Sequence, residues 1–368
     1  MAHEQLDRLL ATVEEEDASD LHMKAGARPR IRVNGLLEDL AAEEVLTPTD
    51  TLAMARAIMR PHVLDTFTQS SSADFAYVSA GTRFRVNVYW QRETVAIVFR
   101  RVVAQPRPIA ELHLPPVVQK LADEPRGLVL VTGPTGSGKT TTLAGMVHRI
   151  NQTRRAHVVT IEDPIEILHT DIQASISQRE IGVDTPDFGL AMRAALRQDP
   201  DVILVGEMRD QETVATALSA AETGHLVLST LHTLDAVETV NRIIEFFPPQ
   251  QHKQVRLTLA ASLKGTICQR LIPTSDGVGR VPAVEVMVVN GRVQHTIIEP
   301  QSRDSLDSII ADGEYYGMRT FDQSLMELYA DGIIELSDAL AAATNPHDIT
   351  VMLRRKGLLG TESESRRP

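Results

Sequence analysis

A glycine-rich loop between an apolar run and an amphipathic run limits most strongly what this chain can fold into. The segment GLVLVTGPTGSGKTTTLAGMVHRI, residues 127–150, contains the pattern Gly-x4-Gly-Lys-Thr. Glycines let consecutive backbone N–H groups turn towards one anion, and a following helix directs its positive end at that anion. LVLVT is typical of a buried strand, and Leu143, Met146, Val147 and Ile150 recur at helical spacing. The segment therefore predicts a strand, a phosphate-binding loop and a helix.

The residues of this loop have separate predicted roles. Lys139 can reach the β- and γ-phosphates of a nucleotide, and the Thr140 hydroxyl can bind Mg²⁺. The rest of the predicted nucleotide-binding set is Gly133, Pro134, Thr135, Gly136, Ser137, Gly138 and Thr141. We therefore expect ATP and Mg²⁺ as ligands.

Acidic side chains follow two of the apolar runs beyond the loop. LVLVT, HVVTIED, DVILV and HLVLSTL read as buried parallel strands that alternate with helices, which predicts an α/β core. Carboxylates that hold a metal's waters and polarise an attacking water belong at the carboxyl ends of such strands. VVTIEDPIE places Glu162, Asp163 and Glu166 there, and DVILVGE places Glu207 there after an intervening Gly206. The alternative is that these four residues are solvent-exposed acids without a catalytic role.

Two histidines flank the fourth run, GHLVLSTLHT. His232 follows the run and is the better placed to meet a γ-phosphate, whereas a structural role is equally consistent with His225. Neither has a cysteine or carboxylate at metal-ligand spacing, so we expect no zinc site. Cys268 is the single cysteine, which excludes an intramolecular disulfide and favours a reducing compartment, the cytoplasm.

The N-terminal region has the texture of a small mixed domain. Apolar residues at helical spacing over residues 6–13 predict a first helix, which is followed by the strands SDLHM and RIRVNG. A second helix is predicted from Thr47 and Pro48 to about Thr66, and a run of alternating antiparallel strands follows it. In TRFRVNV the apolar residues share one face, and Arg83 and Arg85 share the other.

Proline and polar segments suggest the domain boundaries. AQPRPIAELHLPP has four prolines and resists regular structure, while TESESRRP is too polar to fold alone. We predict an N-terminal α+β domain at 1–103, a linker at 104–116, an α/β domain with a helical C-terminal part at 117–360, and a disordered tail at 361–368.

Charge and hydropathy restrict the partners. The formal net charge is −12, which gives no general attraction to nucleic acid or anionic lipid. No apolar run is long enough to span a membrane, so we expect peripheral membrane contact only and no nucleic-acid partner.

Five motifs in order resemble those of the type II/IV secretion ATPases, and among them the PilT/PilU pilus retraction motors. They are GPTGSGKTTTLA, TIEDPIE, RQDPDVILVGEMRD, ETGHLVLSTLHT and GMRTFDQSL. The resemblance implies a RecA-like P-loop ATPase core, a smaller PAS-like N-terminal domain and a helical C-terminal region. It also implies a homo-hexamer that works on an inner-membrane pilus platform protein from the cytoplasmic face of the membrane.

The same resemblance assigns roles by motif. Lys139 and Thr140 belong to the Walker A motif, Glu162, Asp163 and Glu166 to the Asp box, and Glu207 to Walker B. Glu166 is then the general base, Glu207 a magnesium ligand partly through water, and His225 and His232 form the His box. The family also brings N-terminal arginines to the phosphates, for which the candidates here are Arg83, Arg85, Arg92 and Arg100.

Several alternatives stay open at this point. The chain lacks the long N-terminal extension and four-cysteine module of assembly and secretion ATPases. However, RVQHTIIE (Arg292 to Glu299) keeps little of the AIRNLIRE element in which retraction motors resemble one another. An accessory motor, an assembly ATPase, a low-turnover regulatory ring and the need for a second pilus ATPase therefore remain alternatives to a retraction motor.

Overall fold

The computed structural model describes residues 2–33, 35–102, 105–301 and 303–359. Two compact units can be distinguished by their internal packing. Unit 1 comprises residues 1–105 together with 164–168, and unit 2 comprises residues 106–163 and 169–368. The predicted tail at 361–368 and the first residue of the predicted linker lie outside the described residues.

Unit 1 is built on a six-stranded antiparallel sheet. Its strands are β1 (Asp20–Lys24), β2 (Arg30–Val33), β3 (Leu36–Asp39), β4 (Ser72–Ser79), β5 (Thr82–Gln91) and β6 (Thr94–Arg101), in the order β3-β2-β1-β6-β5-β4. Phe84, Val86 and Val88 of β5 are buried, as the alternation predicts. Their face packs against the helices of the unit, and the opposite face carries the polar side chains of the strands.

Three helices supply the rest of the core of unit 1. They are α1 (Ala2–Glu15), α2 (Pro48–Ile58) and α3 (Pro61–Ser70), and the predicted leucine stripe of α1 is fully buried. Thr47 caps α2 in a capping box with Asp50. The predicted helix to Thr66 is wrong in its end, because Pro61 lacks an N–H and disfavours helical backbone at Arg60, so the chain breaks and restarts.

Unit 2 is built on a seven-stranded sheet in the order β13-β12-β7-β11-β10-β8-β9. Its strands are β7 (Gly127–Thr132), β8 (His157–Glu162), β9 (Ser175–Glu180), β10 (Val202–Val205), β11 (Leu226–Leu231), β12 (Leu263–Pro273) and β13 (Arg280–Val288). All neighbours are parallel except β12 and β13. The carboxyl ends of β7, β8, β10 and β11 therefore meet at one edge of the sheet, the edge at which the candidate site is built.

Helices cover both faces of this sheet, and α5, α7 and α8 each follow a strand that ends at that edge. They are α4 (Val117–Ala122), α5 (Lys139–Thr153), α6 (Phe188–Ala195), α7 (Gln211–Glu222), α8 (Ala236–Glu245) and α9 (His252–Ser262). An aspartate side chain caps each of α6, α7 and α8, through Asp187, Asp210 and Asp235. The first turn of α5 has no side-chain cap.

The C-terminal region is helical, as predicted. It contains α10 (Gly291–Ile298), α11 (Leu306–Ala311), α12 (Phe321–Ala330), α13 (Leu336–Ala342) and α14 (Pro346–Arg355). Its apolar side chains join the core on one face of the seven-stranded sheet. Within the described ranges, no helix is both long and apolar enough to cross a membrane.

The predicted linker differs from its description as irregular chain. Residues 109–111 form a turn of 3-10 helix, and the buried side chains of Ile109 and Leu112 pack against α5. Gly145 permits this contact, since a Cβ there would lie 3.1 Å from the Arg107 backbone oxygen. From Pro106 onwards this segment therefore belongs to unit 2, whereas Gln105 belongs to unit 1. The remaining domain boundaries stay a prediction.

Candidate active site

The glycine-rich loop has the backbone conformation that phosphate binding requires. Gly133, Gly136 and Gly138 have φ angles of 140°, 79° and 90°, which side-chain-bearing residues rarely adopt. The loop leads directly into α5, whose first residue is Lys139. The buried ammonium of Lys139 donates hydrogen bonds to the carbonyl oxygens of Gly133 at 2.7 Å and Pro134 at 3.0 Å. Backbone donors and one cation are thus concentrated at an uncapped helix N-terminus.

Strand β12 fixes the start of this loop. A Cβ on Gly133 would collide with the backbone oxygen of Gln269 and lie 2.7 Å from Ser137 Oγ. Glycine is therefore required here by close approach as well as by its φ angle. These residues fit the triphosphate of ATP, because main-chain N–H groups and Lys139 would bind the phosphates and the loop glycines leave space for them.

Glu207 lies at the same sheet edge inside a group of charged side chains. Its carboxylate contacts the guanidinium of Arg209 through Oε1, and His232 Nε2 lies 3.5 Å from its Oε2. Arg209 also approaches Asp163, with 3.6 Å between NH1 and Oδ2. The structure thus brings together Asp163, Glu207 and His232, three of the residues singled out from sequence. Arg209, which links two of them, was missed; its position two residues after Glu207 is the only signal in the sequence.

Gly206, which separates Glu207 from its strand, has a packing role. A Cβ at Gly206 would lie 3.2 Å from the Ile161 oxygen and 3.4 Å from Glu162 Cα. The ends of β8 and β10 can therefore approach closely, which places Asp163 beside Glu207. Thr230 reinforces this arrangement by donating to the Gly206 oxygen at 2.6 Å.

Glu162 has structural partners. Its Oε1 accepts hydrogen bonds from Thr160 Oγ1 at 2.6 Å and Gln178 Nε2 at 3.0 Å. The carboxylate consequently ties β8 to β9, so Glu162 contributes to the site by shaping the end of β8.

His225 lies apart from the loop edge of unit 2, and Glu166 belongs to unit 1. His225 precedes β11 at the opposite edge, where its carbonyl accepts from Gly127 N–H at 2.9 Å and its Nδ1 lies 3.0 Å from the Ala220 oxygen. The six residues of β11 separate it from His232, about 20 Å along a strand. Within one chain His225 therefore lies apart from the P-loop, and its assignment to the nucleotide-binding set stays a prediction. Glu166 is exposed and lies in the 164–168 segment of unit 1.

The candidate arginines of unit 1 fall into two groups. Arg83, Arg85 and Arg100 share the polar sheet face, with Arg85 directly opposite Arg100 in register. Arg92 is exposed in the turn between β5 and β6. Arg85 NH2 lies 3.7 Å from Asp74 Oδ1. Arg83 and Arg85 thus share one face, as predicted from the alternation, and Arg100 lies on the same face.

Arg100 differs from the others because it pairs with a buried acid. Its Nε donates to Asp20 Oδ1 at 2.8 Å, and Ser19 Oγ donates to Asp20 Oδ2 at 2.7 Å. Burial works to raise the pKa of Asp20, but the hydrogen bonds from Ser19 and Arg100 outweigh it, so the pKa lies below its usual value. Arg100 therefore has a structural role in unit 1.

A buried acid lies behind the loop that carries His232. Glu285 of β13 is 7% exposed and accepts a hydrogen bond from the first N–H of α8, at Ala236, over 2.9 Å. Burial raises its pKa to about 7. Cys268, opposite Glu285 in register, is fully buried, and burial raises the pKa of its thiol. Cys268 is thus a core residue.

Together, the parallel sheet, the loop and the acids at its edge define a P-loop ATPase. The family model described as "Type II/IV secretion system protein" matches residues 2–313, most of the chain. The chain belongs to this family, and it is an ATPase with an α/β core and a smaller N-terminal α+β unit.

Relatives of known role align over nearly the whole chain. A "Twitching motility protein" of Neisseria gonorrhoeae is 43% identical over 88% of this chain and 86% of its own length. The "Type IV pilus retractation ATPase PilT" of Pseudomonas aeruginosa is 42% identical over 93% of this chain and 99% of its own. The "Type IV pilus ATPase PilU" of the same organism is 38% identical over 98% and 93%, respectively.

The fold agrees with that of a solved relative. The crystal structure of the pilus retraction motor PilT with bound ADP superposes with a TM-score of 0.87 at 43% identity, covering 94% of this chain and 99% of the other. The resemblance inferred from the five motifs is thereby confirmed.

Proposed function

We propose that this chain is the subunit of a hexameric motor that hydrolyses ATP to power type IV pilus retraction and hence twitching motility. The observation that carries the proposal is the sheet edge on which the Lys139 loop and the Glu207 group lie, in a chain that PilT matches over 99% of PilT's own length. Twitching motility and retraction are the roles that the names of the relatives give.

The side chains would divide the work by charge. Lys139 neutralises the β- and γ-phosphates, Glu166 accepts the proton of the attacking water, and His232 contacts the γ-phosphate side of the site. Mg²⁺, when bound with ATP, supplies further positive charge at the phosphates, and Thr140 and Glu207 would hold it, Glu207 partly through water. Glu162, Asp163 and Thr141 complete the nucleotide-binding set, and Arg83, Arg85, Arg92 and Arg100 remain candidates for contacts to phosphate.

The partners follow from the family role. We infer a homo-hexamer that acts at the cytoplasmic face of the inner membrane on a pilus platform protein, through peripheral contacts and without nucleic acid. A second pilus ATPase is a further candidate partner. The net charge of −12 supports the exclusion of nucleic acid.

An accessory motor is the second candidate function. PilU matches 98% of this chain, and the diverged segment RVQHTIIE forms α10, capped by Asn290 and tied to Asp304 through Arg292 at 3.0 Å. The two candidates differ in a cell that makes type IV pili. Removing a retraction motor leaves abundant pili and abolishes twitching, whereas removing an accessory motor leaves retraction partly intact. Loss of surface pili would instead identify an assembly motor.

The ATPase site is tested by Lys139→Ala. We expect Mg²⁺-dependent hydrolysis to fall about a hundred- to thousandfold, because the buried ammonium is the loop's cation. Lys253→Ala, an exposed lysine of α9, is the matched control and should keep wild-type turnover. Retention of more than about a tenth of the wild-type rate by Lys139→Ala would contradict the assignment.

A further inference from the structure

Three buried threonines converge beneath the active-site edge of unit 2. Thr132 is the last residue of β7, directly before Gly133; Thr233 follows His232; and Thr239 lies in the first turn of α8. Their exposed fractions are 0%, 3% and 0%, respectively. Residues 232–235, which connect β11 to α8, are called the histidine loop below.

The hydrogen-bond directions within this cluster are determined by the number of protons. Thr239 has one hydroxyl proton, and it donates to the Asp235 carbonyl at 2.6 Å, an ordinary bond to the preceding helical turn. Thr239 must therefore accept the bond that joins it to Thr233 Oγ1 at 2.7 Å. Thr132 Oγ1 lies 3.5 Å from the same oxygen, at the outer limit of a hydrogen bond. One hydroxyl thus meets both the histidine loop and the strand that enters the P-loop.

The elements on either side of the histidine loop, β11 and α8, are each bonded to other strands. Ser229, near the end of β11, donates to the Val205 oxygen of β10 at 2.8 Å. Glu285 receives the Ala236 N–H at the start of α8. Between these anchors, Thr239 binds the Thr233 hydroxyl, and Glu238 Oε2 accepts the Leu234 N–H at 2.7 Å. Thr233 is the direct chain neighbour of His232, whose Nε2 lies 3.5 Å from Glu207 Oε2.

We propose that Thr239 is a positioning residue for ATP hydrolysis, which holds His232 in its orientation towards Glu207 through Thr233 and couples that orientation to the strand of the P-loop. Thr239 does not contact the nucleotide. The inference rests on the ATPase function proposed above and adds to it a residue that acts through His232.

The first test compares Thr239→Val with Thr239→Ser. Valine keeps the shape and removes the hydroxyl, so we expect kcat for ATP to fall about tenfold, the rate equivalent of one hydrogen bond, while KM stays within about twofold. Serine keeps the hydroxyl and should restore most of kcat. Thr233→Val should reproduce the loss, and it replaces Thr239→Val if that variant does not fold.

Thr213→Val is the matched control. Thr213 is likewise fully buried in a first helical turn, that of α7, and its Oγ1 lies 3.1 Å from Asp210 Oδ2. It should lower the melting temperature as Thr239→Val does, yet keep kcat. An equal loss of kcat in both variants would mean that Thr239 is merely structural, and the inference would be overturned.

A double-mutant cycle with His232→Ala gives the second test. If Thr239 acts through His232, Thr239→Val should cause no further loss of kcat in the His232→Ala background. An undiminished loss of kcat in that background overturns the inference, and so does an unchanged kcat in Thr239→Val alone. In either case the ATPase function is still supported if wild-type protein hydrolyses ATP and Lys139→Ala does not. Absence of wild-type turnover overturns both.

Discussion

The two candidate carboxylates of the reaction have different surroundings. Glu207 contacts Arg209 and has His232 at 3.5 Å, whereas Glu166 is exposed in the 164–168 segment. A carboxylate held by a guanidinium suits a fixed role in holding a metal's waters. An unencumbered carboxylate is better suited to accept a proton.

These roles predict different behaviour for the two glutamine variants. Glu166→Gln should bind Mg-ATP normally and hydrolyse it very slowly, because the amide keeps the shape and cannot accept the proton. Glu207→Gln should raise the Mg²⁺ concentration that hydrolysis requires and should also lower turnover. Nucleotide affinity by fluorescence titration and single-turnover hydrolysis measure both properties. The assignment of Glu166 as base is wrong if only Glu207→Gln retains binding without hydrolysis.

At this scale the sequence was informative where a backbone needs a particular residue. The loop glycines and Lys139 could be predicted because their spacing has one structural meaning, whereas Arg209 could not, because its contacts with Glu207 and Asp163 join two separate strands. The order of the two histidines along the strand could also be predicted, since His225 precedes β11 and His232 follows it. Whether His225 has a structural role stayed open in the sequence.

At the scale of elements, Glu285, which accepts the first N–H of α8, makes the stability of the fold depend on pH. An unfolded glutamate ionises near 4.5, and the folded carboxyl near 7, because it is buried, with Asp235, Asp307 and Arg270 also acting on it. The folded state therefore favours the protonated form. The stability that Glu285 contributes is complete below pH 4.5 and is lost as pH rises through about 7, by about 3 kcal/mol at most.

Glu285→Gln tests this dependence. Glutamine keeps an oxygen that can accept the Ala236 N–H and does not ionise, so the variant should gain stability relative to wild type between about pH 5 and pH 8. Melting temperatures across this range measure the effect. Glu222→Gln, an exposed acid at the end of α7, should show a difference from wild type that is constant over the same range. A constant difference for Glu285→Gln as well would refute the prediction.

In unit 2, element prediction from the sequence succeeded for the strands beside the loop and failed for three others. β9 and β12 were not predicted, because SISQRE and LKGTICQRLIP mix polar and charged residues into the strand, and β13 (RVPAVEVMV) was missed as well. These strands are specified by pairing with neighbours distant in the chain, such as β12 with β7, and local periodicity does not report such pairing.

At the scale of the whole molecule, the arginines of unit 1 connect its polar face to activity. If these arginines supply positive charge to the phosphates, at least one of four alanine variants should lose most ATP hydrolysis. The variants are Arg83→Ala, Arg85→Ala, Arg92→Ala and Arg100→Ala. In cells the same variant should leave pili abundant and twitching lost. Normal hydrolysis by all four variants would exclude this role, and loss of pili would show that the motor assembles them.

Arg100→Ala needs a separate interpretation. Removing its guanidinium leaves the carboxylate of Asp20, 3% exposed, without its 2.8 Å donor, so unit 1 should lose about 1–3 kcal/mol of stability. Melting temperature must therefore accompany its activity. An unchanged melting temperature would show that Arg32, 3.6 Å from Asp20, is a sufficient partner.

The uncapped start of α5 has a consequence for how this molecule responds to its ligand. Asp187, Asp210 and Asp235 each accept the N–H of the third residue of α6, α7 and α8, so one first-turn donor of each of these helices already has a side-chain partner. For α5 a triphosphate would supply the negative charge that an aspartate supplies elsewhere. Amide hydrogen exchange at the start of α5 should then slow when ATP binds, because the phosphates would accept its first N–H groups. Exchange at the starts of α6, α7 and α8 should stay the same.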